Sequence, residues 1–272
     1  MVIVLNGADF SKSNLGQINV NLALTSDVKE ILANLTRFPA IKENGYAQAL
    51  NRLYSSLKEE GILEKMKVLC IPYMATSYDE CSYNIATMTY TKNALGLLYS
   101  LNENNELVQS NTISGTTIGY DIALESNNCC LFGISKGNGE YGFLASAGIM
   151  TNYYIGKNTI RDNSEVMGQV VEGGANVTSS NGGALLSRAI ADGAYVVNYN
   201  NGITSFIDSK GEFRGSSSVP AMSLTKYLPL AASGGGPATA KSTGLFGCCE
   251  ALTEKQLDSL FRILAEFNEN FG

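Results

Sequence analysis

The chain has 272 residues, of which 44% are apolar and only 16% charged, with 19 Lys and Arg against 25 Asp and Glu for a net charge of −6. That is enough apolar material to bury a core without disulfide or metal staples, and Asn, Ser, Thr and 28 Gly stand in for the missing charge, the residues of tight turns. No Lys/Arg cluster occurs, which excludes nucleic acid bound by phosphate neutralisation, and the acidic balance excludes an anionic membrane surface.

Met1 leads straight into Val2-Ile3-Val4-Leu5 without a basic region or a small-residue cleavage site, so no secretory leader is expected. No stretch approaches the ~18 apolar residues of a membrane span, and a soluble protein is expected. Residues 1–21 read as extended: Val2 to Leu5 form a strand, Asn6-Gly7 a turn, and Leu15 to Leu22 alternates at period two. A first helix follows, with Ser26 as N-cap, Asp27 in its first turn, Val28, Ile31, Leu32, Leu35 and Phe38 on one face, and Pro39 as its stop. A second helix is expected from Tyr46 to Glu60, with Ala47, Leu50, Leu53, Tyr54 and Leu57 as its apolar face and Gly61 just past its end.

From Lys67 the pattern changes to short segments rich in Tyr, Thr, Ile and Val, punctuated by Gly and Asn. Val68 to Ile71, Ile85 to Tyr90, Gly119 to Leu124, Cys129 to Ile134, Gly142 to Ala145, Ala194 to Tyr199 and Ile203 to Asp208 are expected strands. Asn200-Asn201-Gly202 is a hairpin turn, and Asp208-Ser209-Lys210-Gly211 is another. Such spacing predicts a sandwich or barrel. The chain closes on a marked helix. Thr253 and Gln256 form a capping box, Leu252 and Leu257 a hydrophobic staple, and Leu257, Leu260, Phe261, Leu264 and Phe267 a stripe that would dock on the sandwich. Two parts are expected: residues 1–66 as an N-terminal segment with two helices, and 67–272 as a β-sandwich domain ending in the amphipathic helix.

Histidine is absent, which removes Ser-His-Asp and Cys-His catalysis, imidazole acid–base work and His metal ligation together. No strand carries the Glu-x-Asp-x-Glu pattern of sandwich glycosidases. Asp79-Glu80 are adjacent and would face opposite sides of a strand, and Glu103 and Glu106 fall in an Asn-rich turn. Gly235 to Ser242 approaches a phosphate-binding loop, but Ala240 replaces the second glycine. That stretch and the one from Gly173 to Gly183 read as loops. The six cysteines (Cys70, Cys81, Cys129-Cys130, Cys248-Cys249) lack metal-knuckle spacing and read as free, buried thiols. The 14 Tyr, including Tyr153-Tyr154 and Tyr195, read as core-edge residues rather than sugar platforms, and there is no Trp. The expectation is a protein without enzymatic activity, with no catalytic, cofactor-binding or metal-binding residue.

Two ends of the chain carry a resemblance. Val4-Leu5-Asn6-Gly7-Ala8-Asp9-Phe10-Ser11-Lys12-Ser13-Asn14-Leu15-Gly16 is similar to the N-termini of structural proteins from phages of Bacteroides and relatives, including crAss-like phages. Arg37-Phe38-Pro39, Ala49-Leu50, Leu53, Ser56-Leu57-Lys58 and Gly61-Ile62-Leu63-Glu64-Lys65-Met66-Lys67-Val68-Leu69 resemble the segment leading into their β-domain. Ala251-Leu252-Thr253-Glu254-Lys255-Gln256-Leu257 and the helix after it resemble their C-termini, so that the resemblance covers roughly residues 1–75 and 245–272. The resemblance implies a concanavalin-A-like jelly roll and a structural role in a bacteriophage virion, as a head- or tail-fibre or capsid decoration subunit assembled in the bacterial host cytoplasm. It implies as partners other copies of the chain, as a dimer or trimer, and other virion proteins held through the N-terminal segment. The alternative is a lectin-like adhesin that contacts host surface polysaccharide. The tryptophans usual in that family are missing here.

Overall fold

The computed structural model describes residues 24–34, 46–75, 77, 80–91, 99–109, 119–125, 127–137, 140–145, 152–156, 165–166, 168–171, 185–186, 191–216, 223–229 and 241–270. The expected strands of residues 1–21, the end of the first helix at Leu35 to Pro39, and the loops 173–183 and 235–240 lie outside these residues.

Among the described residues the α-helices are α1 (Ser26–Asn34), α2 (Tyr46–Glu59) and α3 (Glu254–Asn268). The strands are β1 (Met66–Cys70), β2 (Tyr83–Asn84), β3 (Thr89–Tyr90), β4 (Tyr99–Leu101), β5 (Leu107–Gln109), β6 (Tyr120–Glu125), β7 (Asn128–Gly137), β8 (Glu140–Ala145) and β9 (Asn152–Gly156). They continue with β10 (Glu165–Val166), β11 (Gly168–Val171), β12 (Leu185–Leu186), β13 (Gly193–Asn200), β14 (Ile203–Asp208), β15 (Gly211–Ser216), β16 (Ser223–Pro229) and β17 (Lys241–Glu250). The chain is mainly β, with antiparallel sheets and a C-terminal helix docked on them. No helix among the described residues is long and apolar enough to cross a membrane.

β7 is the axis of the main sheet. β13 pairs along one edge and β17 along the other; β14 and β15 continue beyond β13, while β1 and the β4–β5 hairpin share the far edge of β17. A second run of strands, in the order β6-β16-β8-β9-β11, joins β7 through the tight connection Glu125–Asn128. Strands adjacent in space but distant in sequence, such as β7 beside β17, are the crossovers of Greek-key and jelly-roll sandwiches.

Both faces of the main sheet are buried, and the period of two sorts its side chains between two cores. Cys130, Phe132, Ile134, Val196, Leu245 and Cys249 face the helices, in one apolar cluster with Val28 and Ile31 of α1, Leu50, Leu53 and Leu57 of α2, and Leu257, Leu260 and Leu264 of α3. Cys129, Leu131, Tyr195, Val197, Phe246 and Cys248 face the other way, against Tyr120 and Leu124 of β6 and Leu224 and Tyr227 of β16. The rings of Tyr120 and Tyr227 lie 5.9 and 6.1 Å from that of Phe246 and tie the second run of strands to β17. The helices N-terminal to residue 66 therefore share a core with the sheet and α3. Each vicinal cysteine pair spans the sheet, one thiol in each core. All six cysteines are buried free thiols.

The helix ends follow their local chemistry. α2 closes on Gly61 at φ +62°, with Ile62 N–H donating to the Leu57 carbonyl at 2.9 Å and Gly61 N–H to Lys58 at 3.0 Å, a Schellman motif whose Leu57 and Ile62 are both fully buried. The capping box of Thr253 and Gln256 is formed, and Leu252 and Leu257 are both buried. α1 differs from expectation. Its N-cap is Thr25, whose carbonyl accepts from Lys29 N–H and whose Oγ1 accepts from Val28 N–H at 3.3 Å, so Ser26 is already helical. Ile85 to Met88 form a turn instead of a strand, with Met88 at φ +53°, and only Thr89–Tyr90 pair.

Candidate functional site

Glu106 is a carboxylate that is both buried and ion-paired. Glu106 sits at the end of the β4–β5 turn, with a side chain 3% exposed, and Lys136 of β7 reaches its Oε1 at 2.9 Å. The Tyr73 hydroxyl donates to the same oxygen at 3.4 Å. Asn102 Nδ2 and the Ser242 hydroxyl donate to Oε2 at 2.9 and 2.8 Å. Tyr73 also reaches Asn268 Oδ1, at the end of α3, at 3.5 Å. The group thus collects a hairpin, two central strands, the turn after β1 and the C-terminal helix.

Local sequence explains the convergence. Asn102 Oδ1 accepts from the backbone N–H of Asn104 and of Glu106, and Asn105 takes φ +56°, which winds the turn so that Glu106 points inward. Pro72 opens a 3₁₀ turn that swings Tyr73 over β17. There the β7–β17 register slips between Thr243 and Leu245, and Gly244 is the bulged residue. A Cβ on Gly244 would lie 2.1 Å from the Tyr73 ring, so the phenol seats on bare backbone.

Burial pushes Glu106 toward its neutral form, but the hydrogen bonds from Asn102, Lys136 and Ser242, with the Lys136 charge, outweigh it and hold the carboxyl below its ordinary value of 4.5. Burial first, and then the Glu106 charge and hydrogen bond, push Tyr73 up, so the phenol keeps its proton. An ionised carboxylate offers about four lone-pair sites, and four donors fill them here. The arrangement is built as a clamp: it holds a charge still and leaves no free lone pair to take a substrate proton.

A second feature is an open groove of about 460 Å³ where β6 and β16 meet the ends of β7 and β17, lined by Ile122, Glu125, Asn128, Ser223, Thr225 and Glu250 among others. Glu250 is paired with Lys67 at 2.7 Å. Among the described residues no tyrosine lines this groove. Tyr99, Tyr120, Tyr195, Tyr199 and Tyr227 are core residues, and the side chains of Tyr153 and Tyr154 lie outside the description. Among the described residues no group of three or more His, Cys, Asp or Glu is placed to hold a metal ion.

No family model matches the chain, and no curated protein matches it. It is similar to solved structures of Trypanosoma rangeli sialidase. With that enzyme in complex with sialic acid it shares 11% identity and a TM-score of 0.39 over 82% of this chain and 39% of the sialidase. With a mutant of Trypanosoma rangeli sialidase displaying trans-sialidase activity it shares 12% identity and a TM-score of 0.33 over 84% of this chain and 40% of that one. The chain spans about two fifths of the length of these enzymes. The expectation of a protein without enzymatic activity is corrected by this finding, since the solved structures it is similar to are enzymes. The physical reason is that glycosidases using a tyrosine nucleophile need no imidazole, so the missing histidine does not exclude sugar chemistry. At these TM-scores the likeness transfers no activity to this chain.

Proposed function

We propose that this chain is a structural subunit of a bacteriophage virion, a head- or tail-fibre or decoration protein that assembles with other copies of itself and, through its N-terminal segment, with other virion proteins. The observation that supports the reading is an interlock. The segments that resemble virion proteins, within residues 1–75 and 245–272, lie far apart in sequence and hold each other directly. Gln256 Nε2 donates to the carbonyls of Glu60 and Gly61 at 3.2 Å, across 196 and 195 residues. Lys65 Nζ donates to the Ala251 carbonyl at 3.1 Å and to Gln256 Oε1 at 3.0 Å. Met66 pairs with Cys249 across β1 and β17. Chance similarity to two short local patterns gives no reason for such mutual contact; a shared structural unit does.

Gold-labelled antibody against this chain, applied to intact purified particles, tests the proposal. Label at a fixed place on head or tail is expected. Label confined to debris of lysed cells, with the chain missing from the protein content of the purified particles, overturns it. The adhesin alternative gains nothing from the groove, where none of the described lining residues offers an aromatic face on which a sugar could stack.

A further inference from the structure

β15 ends the main sheet, and among the described residues its hydrogen-bonded neighbour is β14 alone. The register identifies the backbone groups left over. Asn201 and Gly202 both have positive φ, +47° and +85°, the mark of a two-residue hairpin loop closed by the hydrogen-bonded pair Asn200–Ile203. Alternation along β14 then turns the N–H and C=O of Thr204, Phe206 and Asp208 toward β15, where Gly215, Phe213 and Gly211 receive them. The N–H and C=O of Glu212, Arg214 and Ser216 consequently point away from the sheet.

We infer that β15 pairs with β15 of a second copy of this chain, antiparallel about a two-fold axis at Phe213, joining two main sheets into one. The charge pattern selects both partner and register. Glu212 and Arg214 are exposed, lie on one face of the strand, and are already in ion contact with each other, while Arg214 also contacts Glu254 at the start of α3. With Phe213 opposite its own copy, each Glu212 stands opposite an Arg214 and their outward backbone groups exchange hydrogen bonds. Sliding the strands by one step that keeps outward groups facing each other sets Glu212 against Glu212, or Arg214 against Arg214. Edge strands are commonly guarded by a single sign of charge that repels any copy; here one residue of each sign favours the copy in a single register. A self-complementary patch of this kind is what a two-fold contact requires. The pairing stands whether or not the chain belongs to a virion.

The test uses the full chain and measures mass in solution by light scattering, with thermal melts to verify folding. Wild type is expected to be a dimer, or a larger even-numbered assembly. Glu212→Arg and Arg214→Glu are each expected to weaken association at least tenfold, because like charges then face each other in the pairing register. An equimolar mixture of the two is expected to restore wild-type mass, since each variant supplies what the other lacks. Arg214→Glu also meets Glu254, so Arg214→Pro is the second probe: it removes an outward N–H while leaving the ladder to β14 intact, and a folded protein of half the wild-type mass is expected. A monomeric or odd-numbered wild type, variants of unchanged mass, or a mixture that stays dissociated overturns the inference.

Discussion

Replacing Glu106 by Ala removes the acceptor on which four elements converge, and the structure sets the size of the effect. The Ser242 hydroxyl is buried and loses its partner at 2.8 Å, which costs about 1–3 kcal/mol for a stranded buried donor. Lys136 is 44% exposed, so water rehydrates its ammonium and the full ~3–5 kcal/mol of a broken buried pair does not apply at that end. A small cavity and the loosened Asn102 and Tyr73 contacts add to the loss, giving about 3 kcal/mol in all. For a chain of this size each kcal/mol moves Tm by roughly 2–4 °C, so a fall of about 6–12 °C is expected. Glu106→Gln keeps one oxygen for Asn102 and Ser242 but loses the charge and sets an amide NH2, a donor, against Lys136 and Tyr73, and should cost about 1–3 kcal/mol. Differential scanning calorimetry measures both. If Glu106→Ala melts within about 2 °C of wild type, the cluster is not a clamp and the reasoning from its geometry fails.

The same carboxylate makes a pH prediction. Its folded pKa is depressed, so its contribution is present above the ordinary glutamate value of 4.5 and is lost as pH falls through the lower folded value; the Tm gap between wild type and Glu106→Gln should shrink between pH 7 and pH 3, and a constant gap would contradict the depressed value. Leu260→Asp places a charge where α3 is fully buried against the sheet; it loses about 1.5–3 kcal/mol of apolar burial, plus the larger cost of a buried carboxylate without a partner, and should unfold or aggregate, whereas a wild-type melt would mean that α3 is not docked. Gly247→Ala would place its Cβ 2.4 Å from both the Val68 carbonyl oxygen and the Phe132 ring, so a loss of about 1–3 kcal/mol in chemical denaturation is expected, and unchanged stability would refute the tight β1–β17 approach. Burial pushes the Cys70 thiol up to about 12 and raises Cys129, Cys130 and Cys248 as well; a thiol reagent should therefore label none of the six cysteines in the native protein and all six after denaturation, and prompt native labelling would contradict their burial.

Helix ends and hairpins were legible because their chemistry is local. The Thr253–Gln256 box, the Gly61 closure and the Asn201-Gly202 turn each lie within a few residues, and each forms where its residue types demand. The N-cap of α1 falls on Thr25, one residue before the expected Ser26, because adjacent hydroxyl residues both suit a cap and only the backbone distinguishes them. Ile85 to Tyr90 has strand-like composition, but its backbone is spent elsewhere. Asn84 Oδ1 accepts from the N–H of Leu69 and of Ala86 while its Nδ2 donates to the Lys67 carbonyl, so the segment turns beneath β1.

The Glu106 clamp was not legible, for a reason general to such sites. In sequence, Glu106 stands among asparagines and looks like a solvated turn residue. What pairs with it is supplied by Tyr73, Lys136 and Ser242, from three other parts of the chain, and little in the sequence around them marks that role. The nearest to a signal was Ser242, which the near-phosphate-loop pattern Gly235 to Ser242 drew attention to for the wrong chemistry. Ser242 is the second residue of β17, and its hydroxyl serves a carboxylate instead of a phosphate. Gly244, two residues on, is the stronger retrospective cue. A glycine inside an otherwise apolar strand signals a bulge or a close approach by another group, and here it is both, with the Tyr73 ring lying where a side chain would have been.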